Sequence, residues 1–86
     1  MRYSPRIEQA IRAASLLHRD QVRRGRAEYP YVSHLFSVAV IVSHYTEDED
    51  AIVAALLHDT VEDTSYTLSD LADDFGARVR DIVAHV

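Results

Sequence analysis

An apolar run that covers every side of a helix constrains this fold more than any other feature. Residues 51–57 read AIVAALL and contain no polar side chain. A helix that is apolar all round is normally buried, because a surface helix keeps one polar face. A chain of 86 residues has room for one compact core and no more. The run therefore predicts a fully buried helix within a single domain.

Start and end signals on either side of this run predict further helices. The helices expected cover, approximately, residues 5–21, 33–44, 46–63, 68–75 and 77–86. Their predicted N-terminal caps are Ser4 (followed by Pro5), Ser33, Thr46 in a capping box with Glu49, and Thr67 or Ser69. Gly76 fits a C-terminal cap. Because no segment alternates with the period of a strand, the predicted class is all-α, with about five helices.

Composition excludes several kinds of protein. The net charge of −5 argues against general binding to duplex nucleic acid. No apolar run is long enough to span a membrane, and the N-terminus lacks the apolar core of a signal peptide. The absence of cysteine excludes disulfides and thiolate metal sites. We therefore expect a cytoplasmic protein that binds neither membranes nor long polyanions.

Arginines cluster in the loop after the first predicted helix. Arg19, Arg23, Arg24 and Arg26 lie close together, and all nine basic residues of the chain are Arg. The base composition of the source genome is the plain explanation for the lack of Lys. Guanidinium groups nevertheless bind phosphates in pairs of hydrogen bonds and stack on bases. A local basic loop in an acidic protein predicts a small phosphorylated ligand.

Four titratable residues follow the apolar run directly. His58, Asp59, Glu62 and Asp63 fall within one and a half turns if the helix continues. Each of them, taken singly, fits a solvated helix end with a capping role. Taken together, the carboxylates repel one another unless a cation lies among them. Imidazole and carboxylate ligands suit Mn, Fe, Zn or Mg, so the cluster predicts a divalent metal site.

A further ligand has to come from another part of the chain, because adjacent side chains on a helix diverge. His34, at the start of the second predicted helix, is the best candidate. Taken alone, His34 is better explained as a helix-terminal residue with a local hydrogen bond than as a metal ligand. For His18, near the apolar face of the first helix, we expect a structural role that includes a hydrogen bond behind the site. His44 and His85 fit ordinary helix ends.

Four stretches resemble a known family. They are HRDQVRR (18–24), YPYVSH (29–34), AALLHDTVEDT (54–64) and FGARVRDIV (75–83). The sequence resembles the HD superfamily of metal-dependent phosphohydrolases, and within it the hydrolase domain of RelA/SpoT homologues and the small stand-alone alarmone hydrolases. The resemblance implies an HD-domain helical bundle, with residues 1–86 as one HD-type domain that corresponds to the N-terminal part of the full fold.

The resemblance also assigns roles to residues. It implies that His34, His58 and Asp59 bind a metal, usually Mn²⁺, and that Glu62 and Asp63 orient or activate the attacking water. It implies that Arg23 stacks on a guanine base and that Arg24, which stands where the family commonly has Lys, lies near the phosphates. The implied reaction is hydrolysis of (p)ppGpp, the alarmone of the stringent response, which releases the 3′-pyrophosphate and leaves GDP or GTP.

One departure from the family pattern opens alternatives. The family completes its metal site with a downstream Asp, and Asp70, Asp73, Asp74 and Asp81 come too early to be that residue. The chain is therefore expected to be short at its C-terminus, to bind metal weakly with water in that position, or to take the ligand from another chain in a homo-oligomer. The second hypothesis is a catalytically incomplete HD-like domain that binds nucleotide or a partner protein. A third, an HD nucleotidase with another substrate, is disfavoured by Arg23 and Arg24.

Overall fold

A computed structural model describes residues 2–25 and 27–85, so Arg26 of the arginine cluster and the last residue of the fifth predicted helix lie outside the described residues. Within these ranges the chain forms six α-helices and a two-stranded antiparallel sheet. The elements are α1 (Pro5–Leu17), β1 (Val22–Arg23), β2 (Tyr29–Pro30), α2 (Val32–Ser43), α3 (Glu49–Leu57), α4 (Thr60–Asp63), α5 (Leu68–Phe75) and α6 (Ala77–Ala84). The all-α class is confirmed, since each strand is only two residues long.

Helix α3 forms the centre of the core. Its residues Ile52–Leu57 are all buried, as the apolar run predicted. It packs against α1, α2 and α6, and α5 packs in turn against α6. Of the helices in the described part of the chain, none is both long and apolar enough to cross a membrane.

Local signals predicted the start of α1 and both ends of α5 correctly, but α1 ends at Leu17, four residues before its predicted end. The Ser4 hydroxyl accepts a hydrogen bond from the Ile7 N–H at 3.1 Å, with Pro5 as the first helical residue. Thr67 and Asp70 form a reciprocal capping box at the start of α5. Gly76 separates α5 from α6 with φ of 100°, a conformation in which a residue with a Cβ is strained.

Two predicted caps are wrong. Helix α3 begins after Asp48, whose carboxylate accepts from the Asp50 N–H at 3.0 Å, while the Thr46 hydroxyl accepts from the Asp48 N–H. An acidic cap at this end also interacts favourably with the helix dipole. Helix α2 begins at Val32, one residue before the predicted cap Ser33, whose hydroxyl instead donates to the Pro30 carbonyl at 2.9 Å.

Ion pairs fasten the N-terminal ends of α1, α3 and α6 to each other. Arg6 donates to Glu49 at 2.7 Å and to Asp50 at 2.6 Å. Arg78 donates to Asp48 at 2.6 Å and to Asp50 at 3.1 Å. The Arg78 guanidinium holds the pKa of Asp48 down, to about 2. These pairs fix the start of α3 relative to its neighbours.

The third helix ends six residues earlier than predicted. It stops at Leu57; His58 and Asp59 form a turn, and α4 adds a single helical turn up to Asp63. The hydroxyl of the fully buried Thr60 donates to the Leu57 carbonyl at 2.6 Å. In a continuous helix that carbonyl would accept from the N–H four residues later. The Thr60 side chain thus replaces a backbone bond, and the helix breaks there.

Candidate metal centre

The turn between α3 and α4 and the first turn of α2 bring His34, His58 and Asp59 together. One ligand atom from each of the three lies within 4.8 Å of the others. Asp59 lies between the two imidazoles, with its Oδ1 3.2 Å from His58 Nε2 and its Oδ2 3.8 Å from His34 Nε2. Their side chains are 21–32% exposed. The cluster is therefore sheltered by the fold but reachable from solvent.

The break in the helix explains why two adjacent residues face each other. On a continuous helix the side chains of His58 and Asp59 would diverge. Here Asp59 has φ of −91° and ψ of −6°, at the edge of the helical region, as the residue before α4. Its carboxylate consequently comes within reach of the preceding imidazole.

One ring nitrogen of His58 is committed to the backbone. His58 Nδ1 lies 2.6 Å from the Ala55 carbonyl oxygen. Since a carbonyl can only accept, Nδ1 carries the proton and donates. A neutral ring with this tautomer would have its free lone pair on Nε2, the atom that faces Asp59. A hydrogen bond of this kind orients most metal-binding histidines.

The Tyr31 hydroxyl joins two of the predicted carboxylates. It donates to Asp59 Oδ2 at 2.8 Å and lies 3.4 Å from Asp63 Oδ2. Burial, and then the hydrogen bond to Asp59, raise the pKa of Tyr31 to about 12, so the hydroxyl is a donor at neutral pH. In the sequence Tyr31 is only part of a stretch that resembles the family, and nothing there reveals its contact with Asp59, which lies 28 positions away.

A hydrogen-bond network that includes the buried His18 supports the tyrosine. The His18 ring is 1% exposed and stacks on the Tyr31 ring, with centroids 5.1 Å apart and planes 24° apart. His18 Nδ1 lies 2.8 Å from Gln21 Oε1. Gln21 Nε2 donates to the Asp63 carbonyl at 3.0 Å, and the Gln21 carbonyl accepts from the Tyr31 N–H at 2.9 Å. The structural role expected for His18 agrees with this placement.

Glu62 and Asp63, the carboxylates predicted to orient or activate the attacking water, both lie on α4 and are exposed. Glu62 lines a cavity of about 280 Å³ together with His58 and Asp59. The rest of that cavity is apolar, formed by Val61, Leu68, Val83 and Ala84. Asp63 contacts the site through Tyr31. Both carboxylates therefore border the cluster.

The two predicted nucleotide-binding arginines differ in their surroundings. Arg23, on β1, is partly buried, and its guanidinium carbon lies 5.9 Å from the centroid of the Tyr31 ring. Arg24 is exposed and pairs with Glu28 at 3.6 Å. The structure thus connects Arg23 to the cluster of candidate metal ligands through Tyr31, whereas Arg24 lies at the surface of the loop.

Comparisons with known proteins agree on one family. A family model described as HD domain matches residues 10–86. The chain is 45% identical over 75 residues to human guanosine-3′,5′-bis(diphosphate) 3′-pyrophosphohydrolase MESH1, a match that covers 85% of this chain and 42% of the human protein. It is 43% identical over 77 residues to the probable GTP pyrophosphokinase of Mycobacterium leprae, covering 90% of this chain and 10% of that protein.

A solved structure has the same fold. It is described as a metazoan orthologue of SpoT that hydrolyses ppGpp and plays a role in starvation responses. It superposes with a TM-score of 0.92 at 36% identity, covering 100% of this chain and 49% of that chain. This chain thus spans less than half the length of these relatives.

Proposed function

This chain belongs to the HD domain family, and on that premise we propose that it carries the catalytic centre of a metal-dependent (p)ppGpp 3′-pyrophosphohydrolase. The observation that supports this most is the convergence of His34, His58 and Asp59 beside two carboxylates. The relatives named as ppGpp hydrolases support the choice of substrate.

The three predicted ligands suit a divalent cation. They offer two imidazole nitrogens and a carboxylate oxygen, a set that hard and borderline metals such as Mn²⁺ accept. Two ligand atoms at about 2.0–2.2 Å from one ion lie at most about 4.4 Å apart. A set already within 4.8 Å needs only small side-chain shifts to reach that spacing. We therefore propose these residues as ligands and Mn²⁺ as the ion.

The reaction we propose is attack of water on the phosphorus next to the ribose 3′ oxygen. The new P–O bond forms as the bond to the 3′ oxygen breaks, which leaves a 3′ hydroxyl on GDP or GTP and releases pyrophosphate. A bound divalent cation would lower the pKa of water and polarise a phosphoryl oxygen. Glu62, which lines the cavity with His58 and Asp59, and Asp63, which contacts Tyr31, are the groups that we propose to orient the water and accept its proton.

Nucleotide binding falls to the arginine loop in this proposal. The flat guanidinium of Arg23 is partly buried over the Tyr31 ring, which suits stacking on a guanine base. Arg24 is exposed and would have to leave its pair with Glu28 to contact phosphate. That exchange is inexpensive, because exposed ion pairs contribute little free energy.

The test is release of pyrophosphate and GDP from ppGpp with added MnCl₂. We expect Mn²⁺-dependent release by the wild type and a large loss in Glu62→Gln and Asp63→Asn. Asp73→Asn removes an exposed carboxylate on α5 as a matched control and should leave the rate unchanged. No release under any metal condition would contradict the proposal.

Binding without turnover would favour the second hypothesis, an incomplete HD-like domain that binds nucleotide or a partner. A titration with ppGpp separates the two cases. We expect Arg23→Ala to weaken ppGpp binding, whereas Arg12→Ala, at an exposed site on α1, should not. Unchanged affinity in Arg23→Ala would remove the argument for guanine recognition.

The expected homo-oligomer and the expected cytoplasmic location both remain predictions. Exposed apolar side chains on α1 and α2, among them Leu16 at 62% and Ile41 at 58%, support a homo-oligomer. Sedimentation of the chain at several concentrations tests this, and a constant monomeric mass would contradict it. The cytoplasmic location and the lack of duplex nucleic-acid binding are expectations that rest on composition.

A further inference from the structure

We propose that Tyr31 is the positioning residue of this centre. Its hydroxyl holds the Asp59 carboxylate in the orientation that a metal requires and keeps Asp63 beside it, and its ring supports the side chain of Arg23. The catalytic part of this inference rests on the proposed function. The metal-binding part is tested without turnover.

The hydroxyl contact fixes a side chain that is otherwise free to turn. The terminal torsion of an aspartate is broad, so a carboxylate needs partners to hold its plane. The Tyr31 hydroxyl supplies one at 2.8 Å on Asp59 Oδ2, a hydrogen bond strengthened by the charge of the acceptor. Oδ1 is thereby left facing His58 Nε2 at 3.2 Å. The ligand is thus oriented before an ion arrives.

The hydroxyl proton of Tyr31 also lies between the carboxylates of Asp59 and Asp63. A hydroxyl has one hydrogen to donate, and Asp59 takes it at the shorter distance. Asp63 Oδ2, at 3.4 Å, is the second acceptor of that hydrogen. A single donor between two like charges reduces their repulsion. This arrangement keeps a proposed water-activating group next to a proposed metal ligand.

Tyr31 is itself held rigidly, which a positioning role requires. Its ring stacks on the buried His18, and its N–H donates to the Gln21 carbonyl at 2.9 Å. Its own carbonyl accepts from the His34 N–H at 3.0 Å, so the tyrosine and the first predicted ligand share one turn of chain. A shift of this turn would therefore displace His34 and Asp59 together.

The ring carries a second, separable contact. The Arg23 guanidinium lies over it with its carbon 5.9 Å from the ring centroid, within the range of a cation–π contact. One aromatic side chain thus touches the residue proposed to stack on the base and the residues proposed to hold metal and water. Removal of the hydroxyl should disturb only the contacts with Asp59 and Asp63, whereas removal of the whole ring should also disturb the contact with Arg23.

Two substitutions exploit this separation. Tyr31→Phe keeps the ring and loses the hydroxyl, and Tyr31→Leu loses both. The first readout is the dissociation constant of Mn²⁺, obtained by titration with detection of free Mn²⁺ by electron paramagnetic resonance. We expect Tyr31→Phe to weaken Mn²⁺ binding by about 10- to 100-fold, because loss of a hydrogen bond to a metal ligand typically has an effect of this size. Tyr45→Phe, at a side chain 86% exposed, is the matched control and should bind as the wild type does.

The second readout is steady-state hydrolysis of ppGpp at saturating Mn²⁺. We expect Tyr31→Phe to lower kcat with KM unchanged, because the ring still supports Arg23. Tyr31→Leu should lower kcat and also raise KM. Melting curves of both variants report whether they fold, and Tyr31→Phe alone decides the question if Tyr31→Leu does not.

The outcomes separate this inference from the proposed function. Equal Mn²⁺ affinity in the wild type and Tyr31→Phe would overturn the positioning role and leave the metal site standing. Weaker Mn²⁺ binding in Tyr31→Phe, with no ppGpp hydrolysis by the wild type, would support the positioning role and contradict the proposed reaction. A wild-type chain that binds no Mn²⁺ would overturn both.

Discussion

Removal of the Thr60 hydroxyl should loosen the turn that makes His58 and Asp59 face each other. Thr60 is fully buried, and its Oγ1 donates to the Leu57 carbonyl at 2.6 Å. Thr60→Val keeps the shape of the side chain and leaves that carbonyl without this donor. An unsatisfied buried acceptor costs about 1–3 kcal/mol. In a domain of this size each kcal/mol lowers Tm by about 4–8 °C.

Thr60→Val should also bind Mn²⁺ more weakly than the wild type. Without the hydroxyl, the Leu57 carbonyl can accept from the next available backbone N–H, which would extend α3 through His58. The side chains of His58 and Asp59 would then diverge, and Mn²⁺ binding would weaken. Thr60→Ser is the control: it keeps the hydroxyl, loses only a methyl group and should retain Mn²⁺ affinity.

Thermal unfolding of the metal-free chain and a Mn²⁺ titration measure the two effects. Both measurements are needed, because an extended α3 would restore a hydrogen bond to the Leu57 carbonyl. The variant would then recover part of its stability while its Mn²⁺ affinity fell. A Thr60→Val chain that melts with the wild type and also binds Mn²⁺ with the same affinity would refute the role given to this hydroxyl.

Three further predictions concern stability. Arg78 holds the pKa of Asp48 at about 2, below its usual 3.8, so the stabilisation from this pair is fully present above about pH 4 and is lost as the pH falls toward 2. Between pH 4 and pH 2, the free energy of unfolding of Asp48→Asn, measured in urea, should therefore depend less on pH than that of the wild type. The same pH dependence in both proteins would contradict this. A Cβ at Gly76 meets nothing within 4 Å, so Gly76→Ala should cost about 1–3 kcal/mol through the backbone at φ of 100° alone, measured by urea unfolding, and an unchanged free energy would contradict it. Mn²⁺ at 100 times its dissociation constant should stabilise the wild type by about 2.7 kcal/mol and should not stabilise His34→Ala, and equal shifts would exclude His34 as a ligand.

The elements with strong local signals were predictable from the sequence. Ser4 before Pro5 and the Thr67–Asp70 capping box each act within one turn, so neighbouring residues decide where α1 and α5 begin. The start of α3 was not, because both Thr46 and Asp48 are good caps and local preference does not choose between them. The ion pair of Asp48 with Arg78, thirty residues away, is a tertiary contact that favours the observed start.

The β1–β2 pair and the end of α3 were missed for different reasons. Each strand has two residues, too few to show alternation, and lies in what was predicted as a loop. The break at Leu57 has no Gly or Pro to mark it. The break coincides with a hydrogen bond from one threonine hydroxyl, and threonines also occur within continuous helices.

The residues of the candidate cluster could be named from the sequence, but their geometry could not, and their binding of a metal stays a prediction. The family resemblance supplied His34, His58 and Asp59, and the structure places these three together. The contact between Tyr31 and Asp59 requires α2 and the end of α3 to be side by side, which sequence spacing does not reveal. Only the folded chain shows that the tyrosine hydroxyl lies on an oxygen of Asp59, a proposed metal ligand.

At the end of α3, helix capping is compatible with the metal binding that we propose for the same residues. The last carbonyls of a helix lack backbone partners, and here the motif itself supplies them. His58 Nδ1 donates to the Ala55 carbonyl, and the Thr60 hydroxyl donates to the Leu57 carbonyl. Because the cap uses Nδ1, the lone pair of a neutral imidazole would be on Nε2, toward Asp59. A helix-capping histidine and a metal-binding histidine can thus be one residue, and the burial of α3 fixes where that residue lies.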